Sequence, residues 1–419
     1  MSIAKLDQAK LEDWSLRLYD FLQPFSSLWS NELLNLYPHD LEVIPQKWLE
    51  ELRMLSENEL YEFDCKRDVE KLKNTEIESQ CLKLKALTSL PHISKTPMTS
   101  LEDWAWVGVK NKKQHEIENI VPFLKEVKKL NAFKHVIDIG GGVGHLARIL
   151  AHYEGIEAYS LDRDKSFQTS GKNRAEKYRK LPTALPLHFI NLTFGDKKDE
   201  SELKKIANEN AFILGLHTCG PLANKVIDTS LEFQTTGLLS FGCCYHKLNG
   251  ETEFPVSEFY KKKHLNFELF ALTLATRAHG AISFEDYQTK KQVKLYRFAL
   301  HLWLYHQLGI KDQFSVGENH TRDYHGPFSK YANQKLAQLN LPVTEAKILD
   351  DFYNEFLANP KTHDFYLGNL IRWQFGRALE VYLLIDRALH LMEQGMNVSM
   401  ATFFDESLSP RNIGILATR

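Results

Sequence analysis

The chain has 419 residues, of which 43% are apolar and 11% are aromatic. It is too long for one simple core, so we expect two or three packed units. Lys and Arg total 52 against 54 for Asp and Glu, so no global basic field indicates a nucleic-acid partner, although a local basic patch remains open.

Targeting signals are missing from the sequence pattern. Residues 1–14 carry charges throughout and lack the apolar segment of a signal peptide. No window is apolar over the length that a membrane span requires. The five cysteines do not form the even, spaced framework of an extracellular disulfide protein. We therefore expect a cytoplasmic protein without a membrane partner.

The first part of the chain has helical periodicity. Apolar residues recur at helical spacing at Leu11, Trp14 and Leu18, and again at Trp48 and Leu52. Residues 1–110 are predicted to form an N-terminal helical cap domain. A further helix over about 110–130 should lead directly into the first strand, which opens a core over 111–249.

A strand, a glycine-rich turn and a helix follow at 135–150. Glycine occupies positions 140, 142 and 144 after Asp138, and glycine permits the positive φ angles and close backbone approach that a bound nucleoside needs. The dinucleotide fingerprint fails at His145, where it requires Gly or Ala, and no Lys-Ser or Lys-Thr pair closes a phosphate loop. The pattern D-x-G-x-G-x-G is typical of class I S-adenosylmethionine-dependent methyltransferases. A purely structural tight turn is the alternative.

The next two strands extend this site. The strand at 157–161 ends in Asp162, whose carboxylate can accept the ribose hydroxyls or simply cap the next helix. The strand at 185–192 brings Asn191 to the place of adenine contacts. Cofactor binding is predicted for the positions around these strand ends: Asp138, Gly140, Gly141, Gly142, Gly144, His145, Leu146, Asp162, Arg163, Asn191, Leu192 and His217.

Polar clusters follow the strands at 212–216 and 237–241. In a doubly wound sheet, functional groups gather at the carboxyl ends of strands. The predicted catalytic residues are His217, Cys219, Tyr245 and His246, and Cys243 and Cys244 are predicted to contact substrate. Buried cysteines that act only as small apolar residues are the alternative. Zinc is the less favoured interpretation because the spacing lacks C-x-x-C, so we predict no metal.

The end of the chain returns to strand and helix alternation. Residues 250–362 are predicted to be a helical insertion, and residues 363–419 to complete the core with a helix over 370–394 and strands over 398–404 and 413–417. The turn between these strands offers Arg411 and Asn412 for substrate binding. A well-made turn preset by Pro410 is the equal alternative.

Several of these stretches occur together and in this order in one known family. They are Lys112-Lys-Gln-His-Glu116, Asp138-Ile-Gly-Gly-Gly-Val-Gly-His-Leu146, Leu216-His-Thr-Cys-Gly220, Gly242-Cys-Cys-Tyr-His-Lys-Leu248, the run from Ile385 to Gly395, and Leu408-Ser-Pro-Arg-Asn412. The chain resembles the methyltransferase-like 25 family, which includes proteins named for a ribosomal RNA adenine dimethylase domain. The Cys-Cys loop also resembles that of tRNA 2′-O-methyltransferases.

The resemblance implies an α/β fold with a Rossmann-like class I methyltransferase core, S-adenosyl-L-methionine in the turn of Gly140–Gly144 and Asp162 on its ribose. We expect a methyltransferase with a macromolecular acceptor, with ribosomal or transfer RNA preferred. Lysines at 261–263, 290, 291 and 294 are the candidate RNA contacts, with a solvated surface as the alternative. The competing functions are protein methylation and a non-catalytic cofactor-binding scaffold.

Overall fold

The computed structural model describes residues 5–36, 41–93, 97–178, 180–194, 197–248, 253–277, 282–311 and 320–419. The chain divides into two compact units. The first comprises residues 1–23, 86–280 and 376–419, and the second comprises residues 24–85 and 281–375. No described helix combines the length and the apolar character needed to cross a bilayer.

The first unit is built on a seven-stranded sheet with strand order β3-β2-β1-β4-β5-β7-β6. The strands are β1 (His135–Ile139), β2 (Glu157–Asp162), β3 (Leu187–Asn191), β4 (Ala211–Cys219), β5 (Gly237–Cys243), β6 (Asn397–Thr402) and β7 (Ile413–Thr418). Strands β1 to β5 are parallel, and β7 runs antiparallel between β5 and β6. The predicted Rossmann-like methyltransferase fold is confirmed.

Helices of the first unit cover this sheet. Numbered along the whole chain, they are α1 (Gln8–Leu22), α6 (Asn111–Asn131), α7 (His145–Tyr153), α8 (Lys165–Lys177), α9 (Lys197–Ile206), α10 (Pro221–Glu232), α11 (Glu258–Lys262), α12 (Leu269–Thr276) and α17 (Gly376–Glu393). Because the inner strands are buried on both faces, they are largely apolar, as in residues 211–216 of β4 and 237–239 of β5. Phe241 packs edge-on against Phe403 at 5.0 Å within the core.

The second unit is helical. It contains α2 (Ser26–Trp29), α3 (Gln46–Arg53), α4 (Glu57–Tyr61), most of α5 (Glu76–Leu87), α13 (Phe284–Leu308), α14 (Phe328–Gln338), α15 (Ala346–Ala358) and α16 (Pro360–Gln374). Arg53 pairs with Asp364 at 2.7 Å, and the Tyr61 hydroxyl donates to the Ile282 carbonyl at 2.6 Å. Two distant stretches of sequence therefore share one core.

These two units differ from the predicted domains 1–110, 111–249, 250–362 and 363–419. The helices predicted as a separate cap and a separate insertion pack together, and α1 instead packs on α17 in the first unit. The backbone N–H of Leu6 donates to the Val398 carbonyl at 2.8 Å, so the chain start joins β6. The helix predicted over 370–394 is two helices, α16 and α17, interrupted at Phe375.

Candidate active site at the carboxyl edge of the sheet

The glycine-rich loop between β1 and α7 has the backbone that its sequence predicts. Gly140, Gly142 and Gly144 have φ angles of +73°, +59° and +70°, which side chains with a Cβ rarely adopt. A Cβ on Gly144 would lie 2.6 Å from Cε1 of Phe189, whereas a Cβ on Gly142 would meet no described atom within 4 Å. Gly144 is therefore required for packing, and Gly142 borders open space.

Asp162 at the end of β2 holds this loop. Its Oδ2 accepts from the Gly142 N–H at 2.9 Å, and its Oδ1 accepts from the Asp164 N–H at 2.9 Å. The side chain of Asn191 donates to the Asp162 carbonyl at 2.9 Å. Since each carboxylate oxygen can accept more than one hydrogen bond, Asp162 can position the loop and also accept from a ribose.

Residues beside the loop fit a nucleoside cofactor. Gln168 of α8 is buried, and its Nε2 donates to the Gly142 carbonyl at 2.8 Å. Its Oε1 and the buried Oγ of Ser160 have no hydrogen-bond partner in the described part of the chain. Such polar atoms are normally satisfied, so they are candidate contacts for ligand or water. The sequence analysis did not identify Gln168.

Asp138 lies buried under the loop. Burial raises the pKa of its carboxyl to about 7; Lys113 lowers the pKa and Asp162 raises it. A cationic ligand in the loop would favour the ionised carboxylate. At the start of α7, burial and the nearby cations Arg148, Arg174 and Lys113 lower the pKa of His145 to about 4, so this imidazole is neutral at pH 7.

His217 interrupts the end of β4. It has a left-handed φ of +61° and lies at a register shift between Leu216 and Thr218. This conformation brings its Nε2 to 2.6 Å from Oε1 of Glu116, which is fully buried in α6. The Ser409 hydroxyl donates to the same oxygen at 2.7 Å. Nζ of Lys113 lies 2.8 Å from Oε2.

Glu116 is held as a carboxylate. Burial raises its pKa, but the hydrogen bond and charge of His217, together with Lys113, outweigh burial and lower the pKa to about 2. The sequence analysis gave Glu116 and Ser409 no role. The available signal was an acidic residue on the buried face of an amphipathic helix, next to Ile117 and Ile120.

Three thiols meet at the ends of β4 and β5. Cys219 and Cys243 are cross-strand partners in the parallel register, and their sulfurs lie 3.1 Å apart. The sulfurs of Cys219, Cys243 and Cys244 all lie within 4.8 Å of one another. The Sγ of Cys243 lies 3.2 Å from the His217 carbonyl oxygen. A hydrogen bond from Cys243 lowers the pKa of the Cys219 thiol to about 5.

Two predicted site residues are core residues. Tyr245 is fully buried, and its hydroxyl donates to Glu380 at 3.3 Å, so it packs in the core and its catalytic role stays a prediction. The left-handed φ of +48° at Cys244 starts a short turn that directs Tyr245 inward. Asn412 is also buried: it donates to the Phe404 carbonyl at 3.1 Å and accepts from Arg377 at 2.7 Å, and its substrate contact stays a prediction.

Other predicted positions differ in accessibility. The side chains of Leu146 and Leu192 are buried, so only their backbone can face a cofactor. Arg163 is exposed. His246 is half-buried and its backbone N–H donates to the Thr276 hydroxyl at 3.2 Å, while Arg411 donates to the Arg277 carbonyl at 3.2 Å. For His246, Arg411, Arg163 and Cys244, a functional role stays a prediction.

Comparison with known proteins decides the class of this site. The profile of a family described as "Methyltransferase domain" matches residues 112–251, from the start of α6 through the loop after β5. This part of the chain is similar to a methyltransferase domain. The predicted enzyme class and its cofactor, S-adenosyl-L-methionine, are confirmed for this domain.

Curated relatives carry the same domain. The chain is 26% identical over 239 residues to probable methyltransferase-like protein 25 of Homo sapiens, covering 52% of this chain and 39% of that protein. It is 25% identical over 274 residues to the Mus musculus protein of the same name, covering 59% of this chain and 43% of that protein. The resemblance to the methyltransferase-like 25 family is confirmed, and the chain spans about two fifths of the length of these relatives.

Among solved structures, coclaurine N-methyltransferase bound to N-methylheliamine and SAH aligns with 88% of this chain and 98% of its own. The identity is 12% and the TM-score is 0.26. A TM-score this low supports no inference about this chain.

Proposed function

We propose that this protein is an S-adenosylmethionine-dependent methyltransferase with a macromolecular acceptor, and that the acceptor is RNA. The observation that carries the proposal is the pair of Glu116 and His217 at the carboxyl edge of the sheet. The parallel strands β1, β2, β4 and β5 all end at this edge, so the pair and the glycine-rich loop share it.

The pair suits an acceptor that must lose a proton. When bound, S-adenosylmethionine supplies a methyl group on a cationic sulfur. Because Glu116 is ionised, Nε2 of His217 carries a proton toward it, and Nδ1 is left as the proton-accepting atom. Nδ1 of His217 would take the proton that the acceptor loses as the methyl group leaves the sulfur for the acceptor, and Glu116 would stabilise the imidazolium.

Basic side chains at this edge support an anionic acceptor. Lys112 and Lys113 lie at the start of α6, one turn before Glu116. Lys247 is exposed after β5, where its Cβ would lie 2.7 Å from a Cβ added at Gly220. Arg411 lies in the turn before β7. These four cations form a local patch of the kind that contacts phosphates.

Four of the six lysines singled out in the sequence have partners in the structure. Lys261 pairs with Glu258 at 2.6 Å, and Nζ of Lys263 lies 4.1 Å from the ring centre of Tyr19. In the second unit, Lys291 pairs with Glu57, and Nζ of Lys294 lies 5.5 Å from the ring centre of Trp373. Lys112 and Lys113 of the basic patch also pair, with Glu116, so the RNA proposal uses the patch because of its place at the candidate site.

The location proposed with this function is the cytoplasm. None of the five cysteines forms a disulfide bond in the described structure, and thiols as close as those of Cys219 and Cys243 remain reduced in a reducing compartment.

The experiment is transfer of tritiated methyl groups from S-adenosylmethionine into cell-extract fractions treated with nuclease or protease. Label that is lost with nuclease supports RNA. Label that survives nuclease and is lost with protease overturns the RNA acceptor. Absence of label in every fraction, although the cofactor binds, overturns catalysis and leaves the scaffold function.

Variants connect the label to the site. His217→Ala and Glu116→Gln should each lower the rate by about 100-fold or more while the cofactor still binds, because general base catalysis contributes about that much. His320→Ala, an exposed histidine of the second unit, is the matched control and should keep the wild-type rate.

A further inference from the structure

We propose that Cys219, Cys243 and Cys244 form a binding site for a soft divalent cation, with Zn²⁺ as the ion. The three sulfurs come from the ends of two neighbouring strands and lie within 4.8 Å of one another. Thiolate sulfur is the preferred ligand of zinc. This site adjoins the Glu116 and His217 pair, since Sγ of Cys243 lies 3.2 Å from the His217 carbonyl oxygen, but zinc binding does not depend on the proposed acceptor.

The sulfur positions suit one ion. Zinc binds sulfur at about 2.3 Å in tetrahedral geometry, which separates bound sulfurs by roughly 3.8 Å. The closest pair here is 3.1 Å apart and the whole group lies within 4.8 Å. Side-chain movements of up to about 1 Å would therefore bring the three sulfurs around a common centre.

The backbone conformation that brings these three thiols together is strained. Consecutive residues of an extended strand direct their side chains to opposite faces. The left-handed conformation of Cys244, with φ of +48°, instead places its thiol beside those of Cys243 and Cys219. His217, which precedes the cluster on β4, is left-handed as well. Such conformations in residues other than glycine cost about 1–3 kcal/mol and concentrate at ligand sites.

The surroundings leave one coordination position open. Cys243 is buried, whereas Cys219 and Cys244 are half-buried. Within the described residues, no histidine or carboxylate joins the three thiols in the group. Three protein ligands with a fourth position for water or substrate is the arrangement of catalytic rather than structural zinc sites.

The charges of the ion, its three thiolate ligands and a nearby lysine nearly cancel. Binding converts three thiols and one Zn²⁺ into a complex of net charge −1 and releases three protons. Lys247, three residues after Cys244, supplies a nearby positive charge, and its Cβ packs at Gly220 directly after Cys219.

The test uses the full-length protein with Zn²⁺ and with Co²⁺ as a spectroscopic probe. We expect one zinc per chain by elemental analysis and a thiolate-to-cobalt charge-transfer band on Co²⁺ binding. Cys219→Ser and Cys244→Ser should each weaken metal binding by at least about tenfold, since even loss of an outer-shell partner costs that much. Cys65→Ser, outside the cluster, is the matched control and should bind as the wild type does.

A second measurement needs no variant. Zn²⁺ should protect Cys219 and Cys244 of the wild-type chain from alkylation by iodoacetamide, with Cys65 labelled equally in both states, as read by mass spectrometry. Cobalt binding without a charge-transfer band, equal weakening by Cys65→Ser, or unprotected cluster thiols would each overturn the site. None of these readouts requires methyl transfer, so this proposal and the proposed function can fail independently.

Discussion

Glu116 is the residue on which the candidate site depends most. Its pKa is lowered from 4.5 to about 2, so its stabilising contribution is complete above about pH 4.5 and is lost as the pH falls toward 2. We expect Glu116→Gln to lower the free energy of unfolding at pH 7 by on the order of 2–3 kcal/mol. Denaturant unfolding at pH 7 and pH 3 measures this.

The matched control is Glu118→Gln, an exposed position on the same helix. It should leave the free energy of unfolding within about 0.5 kcal/mol of wild type. If Glu116→Gln keeps the full acid dependence of the wild type, the carboxylate is not held by His217 and Lys113.

The carboxyl of Asp138 has a pKa of about 7, whereas that of Glu116 has a pKa of about 2. Because the pKa of Asp138 is raised from 3.8 to about 7, the folded chain keeps this proton at pH 6, and the carboxyl's effect on stability becomes unfavourable as the pH rises from about 4 to 7. A cationic cofactor favours the ionised form. Cofactor binding at pH 6 should therefore release a proton, and affinity should increase up to about pH 7.

Calorimetry of S-adenosylmethionine binding in two buffers of different ionisation enthalpy measures that proton. Asp138→Asn should abolish the proton release and the pH dependence of affinity, whereas Asp351→Asn in the second unit should change neither. Equal proton release by Asp138→Asn and wild type would assign the titration to another group.

At the scale of single residues, short-range sequence patterns predicted the local structure around the candidate site. The glycine loop and Asp162 follow from spacing within 25 residues, because a strand, a turn and a helix are local structures. The contact between Glu116 and His217 joins residues 101 apart, and the contact between Glu116 and Ser409 joins residues 293 apart. Tyr245 lies in the core because the left-handed Cys244 reverses the alternation of side chains expected beyond a strand.

In the loop between β1 and α7, Gly144 is required for packing, whereas Gly142 borders open space that a ligand can occupy. Gly142→Ala places a Cβ in open space, so it should cost only backbone strain of about 1 kcal/mol but weaken cofactor binding strongly. Gly144→Ala adds a contact of 2.6 Å with Phe189 and should destabilise the fold more. Thermal unfolding and calorimetric titration with S-adenosylmethionine measure the two effects.

Gly309→Ala is the control for strain alone. Gly309 has a φ of +65° at the end of α13, with no described atom within 4 Å of an added Cβ. It should match Gly142→Ala in stability loss and leave cofactor binding unchanged. Equal cofactor affinity in both variants would remove Gly142 from the binding site.

Helices and strands could be predicted from the sequence where apolar residues recur with a clear period. The parallel strands and their order of appearance follow from apolar runs between helices. The break between α16 and α17 was missed because the apolar pattern continues across Phe375, where only the hydrogen-bonding pattern changes. Strand β4 extends to Cys219 rather than Leu216 because it pairs with β5 through a register shift, which no local pattern indicates.

For the whole molecule, the division into units depends on contacts that sequence patterns do not show. The pair of Arg53 and Asp364 joins residues 311 apart, and it places the early helices with the late ones. Helical periodicity identifies an apolar face, but it does not say which other face covers it. Boundaries drawn along the chain therefore divided one helical unit into two predicted domains.

The balanced charge of the whole chain constrains its proposed RNA acceptor. With 52 basic and 54 acidic residues, long-range attraction is weak, and we propose that Lys112, Lys113, Lys247 and Arg411 supply the phosphate contacts. Four phosphate contacts on single-stranded RNA give a slope of log affinity against log salt of about −3, or roughly a 50-fold loss between 50 and 200 mM salt.

Filter binding of RNA at several salt concentrations measures that slope. Lys247→Gln should reduce its magnitude by about 0.7, because one phosphate contact is lost. Lys261→Gln should leave it unchanged, because Lys261 pairs with Glu258 on its own helix. If both variants reduce the slope equally, RNA binds outside the candidate site, and a slope near zero contradicts an RNA acceptor recognised through this patch.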